Sequence, residues 1–137
     1  MPMFRRLDDA ISVFGQLPPE AMAEAAAAGF RTIVNNRPDG EEPGQPSGHA
    51  IAAAAEAAGL AYHAIPVTHS GFTEGQVAAM RAVLDATDGP VLAFCRSGTR
   101  STLLWALARA RLGDDAATLE AKAAAAGYDL APIRPYL

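Results

Sequence analysis

Half of the 137 residues are apolar, so the chain can bury a core of its own and does not read as disordered. A net charge of −4 with no long basic run argues against nucleic acid or an anionic membrane as a partner. The single cysteine excludes an intramolecular disulfide framework and suits a reducing compartment. Arg5 and Arg6 are followed at once by Asp8 and Asp9, which is not the pattern of a signal peptide, and no stretch is long enough to span a bilayer. One cytoplasmic domain over residues 1–137 is the expectation.

In chain order, Ile11 to Phe14 read as a first strand. Pro18-Pro19-Glu20 start a helix that Ala21 to Ala28 continue and Gly29 stops. Phe30 to Val34 read as a second strand, and residues 35–46 as a long polar loop rich in turn formers. Ser47 caps a helix running to Ala58. Leu60 to Val67 are the third strand, Thr68 to Phe72 a short loop, and Thr73 the cap of a helix from Glu74 to Ala86. Val91 to Phe94 are a fourth, buried strand, followed after a tight loop by an apolar helix from Ser101 that buries Trp105. Ala116 to Ala126 form the last helix, and Tyr128 to Leu137 a tail. Strands alternating with helices predict an α/β fold, a mainly parallel sheet covered on both faces.

The chemistry concentrates in Cys95-Arg96-Ser97-Gly98-Thr99-Arg100-Ser101. Strand, tight loop and helix N-terminus build an anion cradle, because successive N–H groups converge there and the helix dipole adds positive potential. A cysteine in such a place is favoured as thiolate, the nucleophilic form. Arg96, Ser97, Gly98 and Thr99 would line the cradle, with Gly98 allowing close backbone approach. Arg100 supplies a planar fork for an oxyanion, and Ser101 a hydroxyl for the thiolate or a cap for the helix.

In an open α/β sheet, ligands bind at the carboxyl ends of the strands. Residues 35–46, 68–72 and 95–100 therefore meet at one edge, and accessory groups should come from the first two loops. Arg37 could attract an anion or pair with Glu41 or Glu42. Asp39 is a turn residue or an acid, and His69 is placed to reach the pocket. His63 reads as structural and His49 as solvated. The three histidines lack the spacing of a metal site, so neither metal nor cofactor is expected.

The order of Gly29 to Asn35, Tyr62 to Val67 and the cysteine loop resembles the dual-specificity branch of the cysteine phosphatases. More closely, Asn36-Arg37-Pro38-Asp39-Gly40-Glu41, Ile65-Pro66-Val67 and Phe94 to Ser101 resemble the phosphatase-like domain of beta-lactamase-hydrolase-like proteins, also described as sulfurtransferases. The resemblance implies the cysteine phosphatase-like fold over roughly residues 10–112. Two departures stand out. Those phosphatases have C-x5-R, usually after histidine, whereas Phe94 precedes Cys95 and Arg100 makes the spacing C-x4-R, as in rhodanese-type sulfurtransferases. They also draw an acidic aspartate from the loop after the third strand, where this chain has Thr68-His69-Ser70-Gly71-Phe72.

Both departures favour sulfur transfer through a persulfide on Cys95, with a sulfane-sulfur or other small anionic substrate. The resemblance alone implies sulfide or glutathione persulfide metabolism, with a persulfide dioxygenase as a partner. The alternatives are a phosphoester hydrolase working through phosphocysteine, and an anion-binding module without catalysis.

Overall fold

A computed structural model describes residues 4–137; residues 1–3 of the expected domain lie outside the described residues. The strands are β1 (Arg5–Asp8), β2 (Ile11–Phe14), β3 (Thr32–Asn35), β4 (Ala61–Ala64) and β5 (Val91–Phe94). The helices are α1 (Ala21–Ala27), α2 (Gly48–Ala57), α3 (Glu74–Ala86), α4 (Thr99–Arg111) and α5 (Ala116–Ala125), with a 3-10 segment at Ala131–Tyr136. The sheet order is β1-β2-β5-β3-β4, parallel throughout except for antiparallel β1. The expected mainly parallel α/β sheet is therefore present.

Alternation along the strands sorts the core onto two faces. Ile33, Leu92 and Phe94 pack with Leu17, Met22 and Ile51 against α1 and α2. Val13, Val34, Val91 and Ala93 face the other way, toward a cluster with Met80, Leu104, Trp105 and Leu119 from α3, α4 and α5. The eight consecutive buried residues Ser101 to Ala108 explain why α4 has no polar stripe in sequence. Thr73 caps α3 with a full capping box with Gln76, and Ser47 caps α2.

Several boundaries differ from the expectation. β1 was missed because Arg5-Arg6-Leu7-Asp8 holds one apolar residue and shows no alternation; Asp8 Oδ1 accepts from the Ala10 and Ile11 N–H groups and turns it back onto β2. The second predicted strand begins two residues late, since the Phe30 N–H donates to Ala25 O at the end of α1. It runs on to Asn35, a polar residue that the apolar pattern placed in the loop. The third ends at Ala64 rather than Val67, because Pro66 has no N–H to give the ladder. α1 starts at Ala21, with Pro18 and Pro19 in the turn before it. Among the described residues no helix is long and apolar enough to cross a membrane.

Candidate active site

β5 lies at the centre of the sheet, hydrogen-bonded to β2 and β3, so the loop that follows it opens in the middle of the carboxyl edge. Cys95 is fully buried at its base, and the Gly98 N–H donates to Cys95 Sγ at 3.1 Å. Gly98 has φ +91°, the left-handed conformation, and serves as the N-cap of α4 without a capping side chain.

The loop carbonyls are tied outward. Arg96 O accepts from the Gln16 N–H at 3.3 Å, and Ser97 O from the Tyr128 hydroxyl at 3.0 Å. Gly98 O accepts from Thr102 N–H and Oγ1. With three successive carbonyls committed outside, the interior of the loop is left to N–H groups, the arrangement that favours an anion or thiolate.

Arg100 does not lie open to an oxyanion. Its Nη1 donates to Glu41 Oε2 at 2.7 Å and to Val67 O at 2.6 Å, and its Nη2 to Glu41 Oε1 at 2.8 Å. Glu41 also accepts from Arg37 Nε at 2.8 Å. Arg37 is buried and splits its remaining donors between Glu42 Oε1 and Gln16 Oε1, so it anchors residues 36–45 rather than facing substrate. Hydrogen bonds from Arg100 and Arg37 hold the Glu41 carboxyl down at about 2 despite its partial burial.

Ser101 does neither task expected of it. Its hydroxyl donates to Asn36 Oδ1 at 2.8 Å, because α4 turns the side chain inward toward β3. Asn36 is the residue that sequence reasoning missed here. Fully buried, it also donates Nδ2 to Ile65 O and its N–H to Phe94 O, stitching three loops together. Asp39 is exposed, and its Oδ1 accepts from the Gly48 N–H at 2.7 Å at the start of α2. Ser97 donates to Thr99 Oγ1 at 3.1 Å. Arg96 is largely exposed, with Glu42 3.8 Å away.

A cavity of about 610 Å³ opens over this loop. Thr68, His69 and Phe72 line one side, and Arg96, Ser97 and Arg100 the other. His69 thus shares the cavity with the cysteine loop, while Arg37 and Asp39 do not line it. His63, read as structural, is exposed on edge strand β4 beside a separate cavity with Thr32 and Asp88.

A cysteine at the end of the central strand, a loop that aims the Gly98 N–H at its sulfur and an arginine in the first turn of the following helix define a protein of cysteine phosphatase-like fold. Its chain belongs to the family described as "Beta-lactamase hydrolase-like protein, phosphatase-like domain", matched over residues 3–112. A beta-lactamase hydrolase-like protein of Xylella fastidiosa is 39% identical over 127 residues, covering 90% of this chain and 29% of that one. The chain therefore spans less than a third of the curated relatives it matches. A Neisseria meningitidis protein provisionally named a phosphatase superposes with TM-score 0.83 at 35% identity, covering 96% of this chain and 94% of its own. The kinase associated phosphatase, with serine in place of its catalytic cysteine, shares the fold at TM-score 0.64 and 14% identity, over 82% of this chain and 72% of its own.

Proposed function

We propose that this chain is a sulfurtransferase that carries sulfane sulfur as a persulfide on Cys95. The observation that supports it is the lining of the cavity over the cysteine loop, which among the described residues includes no Asp or Glu. Glu74 is exposed and pairs with Arg111, and Asp39 accepts from the Gly48 N–H at the start of α2, so neither stands over Cys95. Cleaving a phosphate ester expels an alkoxide or phenoxide, which benefits strongly from a proton donor. Sulfur transfer has no such need.

With thiosulfate, the Cys95 thiolate attacks the outer sulfur and a new S–S bond forms. The old S–S bond breaks, and its electron pair leaves with sulfite. Three negative charges enter and three leave, on the persulfide and sulfite, without a proton moving. An acceptor thiolate then attacks the outer sulfur and returns Cys95 as thiolate. The loop N–H groups suit the one terminal sulfur of the persulfide. The single cysteine suits a reducing cytoplasmic setting, and the resemblance suggests a persulfide dioxygenase or another sulfide-oxidising partner.

Phosphate ester hydrolysis is the second reading, favoured by the naming of the 35% identical Neisseria structure and by His69 in the cavity as a proton donor. One experiment separates the two. Intact-protein mass spectrometry after incubation with thiosulfate or glutathione persulfide should show a gain of about 32 Da, one sulfur, on wild type and none on Cys95→Ser, reversed by cyanide. No adduct, together with p-nitrophenyl phosphate hydrolysis that Cys95→Ser abolishes and His69→Ala slows, would replace the proposal with the phosphatase. Silence in both assays would leave only an anion-binding module.

A further inference from the structure

One peptide unit of the cysteine loop is held at both ends. The N–H of the Ser97–Gly98 peptide donates to Cys95 Sγ at 3.1 Å, and its C=O accepts from Tyr128 Oη at 3.0 Å. The peptide is trans, so the two groups point in opposite directions, one at the sulfur and the other away from it. Rotating this unit by half a turn would swing the Ser97 oxygen toward the sulfur, where it would repel a thiolate. Glycine at 98 reaches both signs of φ with little cost, so the local backbone does not choose between the two orientations. The neighbouring carbonyls are fixed by the backbone of Gln16 and by α4 itself. Ser97 O depends on a side chain.

We propose that Tyr128 is a positioning residue for the nucleophile: its hydroxyl locks the Ser97–Gly98 peptide with the N–H on Cys95. By polarising that peptide, it also strengthens the donor that steadies the thiolate. The residue is well fixed for this. It follows α5 and donates its N–H back to Ala123 O within that helix, and the Arg5 guanidinium lies 5.3 Å from its ring centroid. A side-chain carbon at Gly98 would collide with its hydroxyl, so loop and ring are in close fit. Partial burial raises the phenol above its ordinary range, which keeps it protonated and donating through neutral pH. Tyr128 lies beyond residues 3–112, the part matched to the family, so this brace comes from outside the family's core.

The inference rests on Cys95 as nucleophile but not on which substrate it attacks. Its test is the rate of Cys95 alkylation by iodoacetamide across pH in wild type and Tyr128→Phe. The expected result is a profile displaced to higher pH, with the rate at pH 7 lowered about fivefold, roughly the factor for one net peptide hydrogen bond. Asp114→Asn, which breaks the Arg109–Asp114 pair at the far end of α4, controls for stability and should leave the profile in place. Amide exchange gives a second readout: the Gly98 N–H should lose protection in Tyr128→Phe. Superimposable alkylation profiles, or unchanged Gly98 protection, would overturn the proposal. Failure of the persulfide assay with a displaced profile would sink sulfur transfer and leave the brace standing.

Discussion

The two loops that meet at the site are held by different forces. Residues 95–98 are fixed by uncharged groups: a left-handed glycine, and carbonyls tied by the Gln16 and Thr102 N–H groups and by the Thr102 and Tyr128 hydroxyls. Residues 36–45 are fixed by side chains, with Glu41 between Arg37 and Arg100, Glu42 on Arg37, and Gln45 Nε2 donating to Pro38 O. None of the ties in the first arrangement is an ion pair. The second is built on charge. Placing the nucleophile on the first and the charge compensation on the second separates the geometry of Cys95 from the electrostatics around it.

The largest test of this contrast is Gly98→Ala. It forces an L residue to φ +91° and sets a methyl against the Tyr128 hydroxyl, so stability should fall by about 3 kcal/mol. Chemical denaturation measures it, and a loss below about 1 kcal/mol would mean the loop relaxes freely. Ser101→Ala cuts the tie between the loops and strips buried Asn36 Oδ1 of its donor, for an expected loss of about 1–2 kcal/mol by the same measurement. Smallest is the acid response. Glu41 ionises near 2 when folded and near its ordinary 4.5 when unfolded, so its contribution is complete above about 4.5 and drains away as pH falls toward 2. The thermal midpoint of wild type should decline over this window more steeply than that of Glu41→Gln. Parallel curves would show that residues 36–45 do not depend on this charge.

The same contrast decides what could be read from sequence. The cysteine loop was legible because its devices are local: an apolar strand, a glycine and a helix start within eleven residues. The mainly parallel sheet and its two covered faces followed from the alternation of strands with helices along the chain. Glu41 was visible only as a partner for Arg37, since nothing in its neighbourhood indicates that Arg100, fifty-nine positions away, would take it. Asn36 was hidden because a polar residue beside Pro38-Asp39-Gly40 looks like loop, whereas burial is supported by partners at Ile65 and Ser101. Tyr128 sat in a tail with two prolines, and only the tertiary path of α5 brings it to Ser97.

The central place of β5 also governs how the molecule forms. β2 and β3 are not neighbours; each pairs with β5, which is made more than fifty residues after either. Until that strand inserts, both present unpaired edges and the sheet exists as two halves. Closing it pairs segments far apart in sequence, a slow class of folding event. Ejection of β5 by a destabilising change would expose two open strand edges at once, a template for aggregation. The nucleophile and the keystone of the fold therefore stand or fall together, and misfolded chains carry no assembled reactive loop.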